Sequence, residues 1–219
     1  MSLWSAFLDL LFPPRCAFCQ AVLDRRGDGV CPDCREHLPL ADTLLRGPYG
    51  RCAVALWYED MVRQGIHGLK FGGRSSAAQV FAPFLAQAAA EHLAGEFDTV
   101  SFVPVSRKRL RQRGYDQARL LAEALAAIWD TRAAPTLEKV RDTAAQSTLS
   151  APEERRANVL GAYRALPGAS VEGRRILLVD DVITTGSTLA AARDALLLAG
   201  AASVVCAALA APRPKKGKT

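Results

Sequence analysis

The sequence predicts an α/β fold in which a largely parallel sheet is flanked by helices, preceded by a small cysteine-rich unit. Strand-like apolar segments alternate with alanine- and leucine-rich helical segments along most of the 219 residues. This alternation is typical of parallel strands joined by right-handed helical crossovers. One strand-like run, residues 176–179, is apolar at every position, as expected for a strand buried on both faces of its sheet.

The composition limits the classes of protein to which the chain can belong. Half of the residues are apolar, enough for a core of ordinary size, and no run of about 18 apolar residues predicts a membrane span. The net charge of +6 is concentrated in residues 107–113 and in the C-terminal tail. This favours phosphate-rich ligands, and solvated basic faces are the alternative. The first twelve residues include Asp9 and lack a basic leader, so we expect no secretion signal and a cytoplasmic location.

Three regions are predicted along the chain. Residues 1–45 contain an N-terminal helix and the cysteine-rich unit, residues 46–211 form the α/β domain, and residues 212–219 are a disordered basic tail. Apolar residues recur at helical spacing from Leu3 to Phe12 and stop at Pro13. The pattern predicts a short amphipathic helix that packs on the core, and membrane contact is the alternative.

The cysteine-rich unit has the spacing of a metal site. Two Cys-x-x-Cys pairs are separated by eleven residues and consist of Cys16, Cys19, Cys31 and Cys34. Such pairs place four thiolates on two tight turns, as tetrahedral Zn²⁺ requires; two disulfides are the alternative, which a reducing compartment disfavours. Because so small a unit cannot fold on its own core, we expect a structural zinc that holds this knuckle against the main domain. Cys52 and Cys206 are predicted to be core residues, and His37 a bystander.

The α/β domain follows in order. Strands are predicted at residues 51–58, 98–105, 136–140, 161–166, 176–179 and 203–211, and helices at 61–71, 76–94, 115–129 and 189–198. Residues 141–159 are polar and show little periodicity, so we expect a long loop that is functional or disordered. Lys70, beside Gly72 and Gly73, is predicted either to meet a phosphate or to be solvated.

Residues 106–114 are predicted to be a basic loop. Five cations lie within residues 107–113. Because the loop leaves the end of a core strand, we expect it at the ligand edge of the sheet. A pyrophosphate group is the favoured ligand, and a solvated face is the alternative.

Two carboxylates and a hydroxyl-rich loop follow the apolar strand. Asp180 and Asp181 come first, and the loop residues are Thr184, Thr185, Gly186, Ser187 and Thr188. A strand, a polar loop and a helix together direct backbone N–H groups and the positive end of a helix dipole at an anion. Gly186 allows close approach of a phosphate, and the carboxylates suit a ligand that also carries hydroxyls or a bound Mg²⁺, as a sugar phosphate does. A capped helix after an Asp-containing turn is the alternative, but capping needs only one hydroxyl.

Residues 179–188 resemble the phosphoribosyl-pyrophosphate (PRPP) motif of the type I phosphoribosyltransferases. The resemblance implies a type I phosphoribosyltransferase-like fold. It also implies that Asp180 and Asp181 take the ribose hydroxyls of PRPP and that residues 184–188 wrap its 5′-phosphate.

Nearly the whole chain is similar to the ComF family of bacteria, which is associated with DNA uptake in natural transformation. The segments that match in order are the four-cysteine knuckle, residues 69–72, 104–105, 113–117, 146–150, 156–159 and the PRPP motif. The resemblance implies that Val105, Ser106, Arg107 and Arg109 bind pyrophosphate. It also implies that Gln146, Ser147, Arg155 and Arg156 belong to a flexible loop over the site. Ser106 and Asp116 depart from the family, which usually has Pro and Asn there.

Two functions follow from these residues and this resemblance. The first is an enzyme in which a nitrogen nucleophile displaces pyrophosphate from PRPP, with Mg²⁺, Arg107 and Arg109 meeting the charge of the leaving group. No residue identifies itself as a general base. The second is a non-catalytic module of the competence machinery that senses PRPP or handles single-stranded DNA, with that DNA or a competence helicase as partner.

Overall fold

A five-stranded sheet forms the centre of the structure, a computed structural model that describes residues 12–25, 27–141 and 161–214. The strands are β1 (Leu40–Gly47), β2 (Gly50–Trp57), β3 (Thr99–Phe102), β4 (Leu137–Lys139), β5 (Tyr163–Ala165), β6 (Arg175–Val182) and β7 (Ser203–Ala211). The main sheet has the order β1-β2-β7-β6-β3, in which only the β1–β2 pair is antiparallel. The predicted α/β fold with a largely parallel sheet is confirmed.

Within the described residues there are six helices. They are α1 (Pro32–His37), α2 (Asp60–Phe71), α3 (Ala77–Leu93), α4 (Arg107–Arg113), α5 (Gln117–Ile128) and α6 (Ser187–Leu198). Of these, α3 and α5 lie on one face of this sheet and α6 on the other. Apolar side chains of α3 and α5 share one core cluster with Leu177 and Val179 of β6. Side chains of α6 share a second cluster with Ile176 and Leu178. Alternate residues of β6 thus enter opposite cores, which is why the whole run 176–179 is apolar.

The segment predicted to be a basic loop is instead the helix α4. Ser106 begins it, since its Oγ accepts a hydrogen bond from the N–H of Arg109 at 3.4 Å. Gly114 ends it in the left-handed region, at φ +79°, with its N–H bonded to the carbonyl of Leu110. Arginine, lysine, leucine and glutamine are all good helix formers, so propensity and caps outweigh the repulsion among like charges.

Two other parts of the domain differ from expectation. β1 is an edge strand that the sequence interpretation did not include. The strands expected at residues 136–140 and 161–166 are present as β4 and β5, but they pair with each other as a separate antiparallel ribbon. The helix expected at residues 3–12 lies outside the described residues except for Phe12, and so do nearly all of the loop at 141–159 and the last five residues of the tail.

The cysteine-rich unit packs against the helices of the main domain. The ring of Phe18 lies 5.1 Å from that of Phe81 in α3. Gly65 in α2 allows the close approach, because a Cβ there would lie 3.0 Å from the carbonyl oxygen of Ala17. Within the described residues, no helix has both the length and the apolar character needed to cross a membrane.

Candidate functional site

A cavity of about 700 Å³ opens where the parallel strands β3 and β6 end. Three kinds of side chain line it. The motif contributes Asp180, Asp181, Thr184 and Thr188; the cations are Lys70, Arg109, Arg113 and Lys139; the aromatic side chains are Tyr58, His67, Phe71, Tyr115 and Tyr163. Ligands bind at this edge of open α/β sheets because loops there separate and leave a crevice.

The hydroxyl-rich loop joins β6 to α6, and the tertiary structure shapes it from behind. Gly186 has φ +74°, and a Cβ on it would overlap Cδ1 and Cε1 of Tyr49. Thr184 and Thr188 line the large cavity, and with Gly186 they also line a small cavity beside it. Thr185 and Ser187 line neither and hydrogen-bond each other, Oγ1 to Oγ at 2.8 Å. Two of the four predicted hydroxyls therefore maintain the loop, and two face the cavity.

The acidic pair lies within β6, which continues to Val182 rather than ending before it. In each carboxylate Oδ1 accepts from the next backbone N–H, at 2.8 Å for Asp180 and 2.7 Å for Asp181. Burial and the neighbouring Asp181 raise the pKa of Asp180 to about 8. At neutral pH, therefore, Asp180 mostly holds its proton.

Lys70 supplies the cation that balances Asp181. Its Nζ lies 2.8 Å from Oδ2 of Asp181, and the two side chains are 23% and 7% exposed. Burial disfavours the charged lysine, but the Asp181 carboxylate outweighs it and holds the pKa of Lys70 above its usual range. Full solvation of Lys70 is therefore wrong, whereas the expected phosphate contact stays a prediction, since Lys70 lines the cavity.

The residues predicted to bind pyrophosphate separate in the structure. Val105 and Arg109 line the cavity, whereas Ser106 is buried as the cap of α4 and Arg107 is exposed to solvent away from the cavity wall. Arg113, one turn after Arg109, also lines the cavity. The residues predicted on the flexible loop, Gln146, Ser147, Arg155 and Arg156, lie outside the described part of the chain.

Asp116 fixes the backbone beside Arg109. Its Oδ1 accepts from the N–H groups of Ala118 and Arg119 and so caps α5, while Oδ2 accepts from the N–H of Val105 at 2.9 Å. An asparagine side chain has only one acceptor oxygen. It could not accept from the start of α5 with one oxygen and from Val105 with another, as Asp116 does. The departure from the family at this position therefore has a structural use in this chain.

Sequence reasoning did not identify several residues of the cavity wall. Lys139 lies over the Tyr163 ring at 5.2 Å, and both come from the ribbon of β4 and β5. Arg113 lies over the Phe71 ring at 4.7 Å and donates to Oε1 of Gln117. No local pattern marks these contacts; only the Arg-Gly-Tyr-Asp-Gln segment of the family resemblance pointed near them.

The four cysteines converge away from this cavity. Their sulfur atoms all lie within 4.8 Å of one another, and Cys19 Sγ is 3.6 Å from Cys31 Sγ. Four sulfurs on one tetrahedral zinc lie about 3.8 Å apart, given a Zn–S distance of about 2.3 Å. All four are free thiols, and although burial opposes it, backbone N–H groups of Cys31, Cys19 and Phe18 lower the pKa of Cys16 to about 7. The cluster is consistent with a structural zinc.

The structure agrees with the predictions for Cys52, Cys206 and His37. Cys52 and Cys206 are fully buried neighbours on β2 and β7 and act as small core residues. His37 is exposed, with its Nδ1 2.9 Å from the carbonyl oxygen of Asp33, and it is not part of the cysteine cluster.

Comparison with known families agrees with both halves of this description. Residues 84–219 match the phosphoribosyl transferase domain, and residues 7–45 match the double zinc ribbon domain. Fold, cavity and cysteine cluster therefore define a phosphoribosyltransferase-domain protein with an N-terminal double zinc ribbon.

Individual relatives extend over most of the chain. It is 34% identical over 204 residues to the DNA utilization protein YhgH of Escherichia coli (strain K12), with 86% of each chain covered. It is 28% identical over 177 residues to the competence protein ComFC of Bacillus subtilis (strain 168), with 80% of this chain and 69% of that protein covered. The chain belongs to the ComF/YhgH family, as the sequence resemblance predicted.

Proposed function

We propose that this protein binds PRPP in the 700 Å³ cavity and transfers its phosphoribosyl group to a nitrogen nucleophile. The bond from C1 of the ribose to the pyrophosphate oxygen breaks, and its electron pair leaves with pyrophosphate. A bond from C1 to nitrogen forms in its place. The observation that carries the proposal is that one cavity is lined by the acidic pair of β6 and by threonines of the loop after it, together with Arg109 and Arg113 of α4.

Each group has a task in this proposal. The hydroxyl-rich loop and the N-terminus of α6 would hold the 5′-phosphate, because Thr184, Gly186 and Thr188 line the two cavities beside the start of this helix. Asp180 and Asp181 would accept from the ribose hydroxyls. Arg109 and Arg113 would stabilise the negative charge that grows on pyrophosphate as it leaves, which is the usual contribution of fixed cations to such reactions.

A Mg²⁺ ion is expected to accompany PRPP, but the acidic pair does not offer it two free carboxylates. One oxygen of each is bonded to a backbone N–H, and the other oxygen of Asp181 faces Lys70. The metal would be held by the oxygens of the substrate itself, where its chemistry is charge neutralisation on the pyrophosphate.

The test is pyrophosphate release from PRPP in the presence of a panel of purine, pyrimidine and pyridine nitrogen nucleophiles. We expect release with at least one acceptor above the rate without acceptor, and loss of that release in Asp181→Asn. PRPP binding without any release would instead support a sensing role. Absence of both binding and release would contradict the proposal.

A second candidate function is the handling of single-stranded DNA, which an exposed aromatic ring at the cavity mouth favours. Phe71 is 62% exposed and lies under the Arg113 guanidinium. Arg107 and Arg111, which precede Arg113 on α4, are also exposed. Stacking aromatics beside cations bind single strands. Fluorescence anisotropy with labelled oligothymidylate should show that wild-type binding weakens as salt is added. Binding should also be weaker in Phe71→Ala and in the double variant Arg107→Ala/Arg111→Ala. Salt-independent or absent binding would remove this candidate.

We also propose that Cys16, Cys19, Cys31 and Cys34 hold one zinc with a structural role. A PRPP ligand and free thiols both suit a reducing, cytoplasmic compartment.

A further inference from the structure

The Lys70–Asp181 ion pair is shielded and held by the fold. Lys70 lies one residue before the end of α2, and Asp181 is near the end of β6. The 2.8 Å separation and the low exposure of both side chains distinguish the pair from mobile pairs at a surface. Removing either partner of such a pair leaves a charge in poor contact with water, which is costly.

The end of α2 is itself fixed by a contact from another element. The hydroxyl of Tyr115 donates to the carbonyl oxygen of Leu69 at 2.6 Å, and Leu69 is fully buried. Tyr115 lies between α4 and α5, so it ties the backbone next to Lys70 to the basic wall of the cavity. The lysine therefore enters the cavity from a restrained backbone.

The arrangement leaves little room for a divalent cation at Asp181. Oδ1 of this residue is bonded to the N–H of Val182, and Oδ2 faces the ammonium of Lys70. A metal ion bound at Oδ2 would meet the ammonium at short range, and the two positive charges would repel. The acidic pair already has its counter-ion before any ligand arrives.

We propose that the Lys70 ammonium, rather than a divalent cation, is the positive partner of the acidic pair and positions Asp181 for the ribose hydroxyls. The inference rests on the proposed PRPP site. It implies that binding of the ribose 5-phosphate part of the ligand does not require Mg²⁺, and that any Mg²⁺ requirement belongs to the pyrophosphate part.

The experiment is calorimetric titration of the full chain with ribose 5-phosphate, with and without Mg²⁺. The Mg²⁺-free buffer contains no chelator, because a chelator would remove zinc from the cysteines. Wild-type affinity should agree within about twofold between the two buffers. In the Mg²⁺-free buffer, Lys70→Met should bind ribose 5-phosphate about tenfold or more weakly than wild type, because a charged interaction has been removed. Adding Mg²⁺ should restore part of this affinity.

Two variants separate this positioning role from a merely structural one. Lys70→Arg keeps a cation and should stay within about threefold of wild type. Lys108→Met makes the same change in charge at an exposed residue that does not line the cavity, and it should bind like wild type in both buffers. A structural defect in Lys70→Met would weaken binding equally in both buffers, without rescue by Mg²⁺.

Wild-type binding of ribose 5-phosphate that requires Mg²⁺ would overturn the inference while leaving PRPP binding intact. Unchanged affinity of Lys70→Met in the Mg²⁺-free buffer would do the same. If Lys70→Met does not fold by circular dichroism, the wild-type comparison and Lys70→Arg still decide. A protein that binds neither ribose 5-phosphate nor PRPP in either buffer would overturn the proposed function together with this inference.

Discussion

At the scale of single residues, Gly186 meets two separate demands. Its φ of +74° lies in the left-handed region that side chains disfavour. Its missing Cβ also leaves space for the ring of Tyr49, which is buried in the turn between β1 and β2. The hydroxyl-rich loop is thus supported from behind by the β1–β2 hairpin at the edge of the sheet, which is distant in sequence.

Gly186→Ala should therefore destabilise the protein more than an alanine substitution at a glycine where only the backbone conformation is unfavourable. Gly168→Ala is the matched control, because Gly168 has φ +79° and open space where a Cβ would stand. We expect the control to cost about 1 kcal/mol in urea unfolding. Gly186→Ala should cost about 1–3 kcal/mol more from overpacking, and it should weaken ribose 5-phosphate binding at least about tenfold. Equal effects of the two substitutions would show that Tyr49 yields to the added methyl group.

Asp180 should make stability depend on pH. Its pKa of about 8 in the folded protein lies above its ordinary value, so the folded state holds a proton that the unfolded chain releases. Raising the pH should thus destabilise wild type relative to Asp180→Asn, which has no carboxyl to titrate, by about 1.4 kcal/mol per pH unit near pH 6 and by about half that slope at pH 8. Above pH 8 the difference should level off. Urea unfolding at four pH values measures it.

The control for this pH dependence is Asp194→Asn, at an exposed carboxylate on α6. Its stability curve should run parallel to that of wild type. A constant difference between wild type and Asp180→Asn from pH 6 to 8 would mean that Asp180 is ionised throughout in the folded protein.

At the scale of elements, α4 divides a run of like charges into two groups. Residues one turn apart share a helix face, so Arg109 and Arg113 both line the cavity. Arg107, Lys108 and Arg111 lie in solvent. Helix periodicity, rather than the number of cations, therefore selects the side chains that can meet a ligand.

Arg109→Ala should weaken PRPP binding about tenfold or more, since a charged hydrogen bond is worth about 1.5–3 kcal/mol. Ribose 5-phosphate affinity should stay near wild type, because that ligand lacks pyrophosphate. Lys108→Ala is the control, and Arg107→Ala should change PRPP affinity by no more than about twofold. Calorimetry with both ligands distinguishes these cases. If Arg109→Ala binds PRPP like wild type, α4 is not the pyrophosphate site.

At the scale of the whole molecule, the cysteine cluster joins the N-terminal segment to the main core. Its four residues share one apolar cluster or its margin with side chains of α3, α5 and the sheet. None of the four lines the cavity. The metal site should therefore control folding, and ligand affinity only indirectly.

Cys31→Ser should remove bound zinc and lower the melting temperature or the soluble yield. Plasma emission spectrometry should find one zinc per wild-type chain and one in Cys52→Ala, the control at a buried cysteine outside the cluster. Any soluble Cys31→Ser should bind ribose 5-phosphate with near wild-type affinity. Wild-type protein without zinc, or with disulfides detected by mass spectrometry, would contradict a metal site.

By itself the sequence was sufficient to predict features whose signal lies in short segments of the chain. The apolar run 176–179 predicts a doubly buried strand, the adjacent carboxylates and hydroxyls predict a sugar-phosphate loop, and the cysteine pairs predict a zinc knuckle. Each of these signals lies within a short segment of chain, the longest running from Cys16 to Cys34, so local chemistry is sufficient to predict them. The strand and the cysteine cluster are present in the structure, and the sugar-phosphate role of the loop stays a prediction.

The tertiary structure alone decided which distant residues meet. It placed Lys70 against Asp181, Tyr49 behind Gly186, and β4 with β5 outside the main sheet. A run of charged residues has the same local pattern in a loop and in a capped helix. The sequence around a lysine likewise does not indicate which carboxylate it will pair with. Such contacts depend on how helices and strands pack, which is set by the sum of many weak interactions along the whole chain.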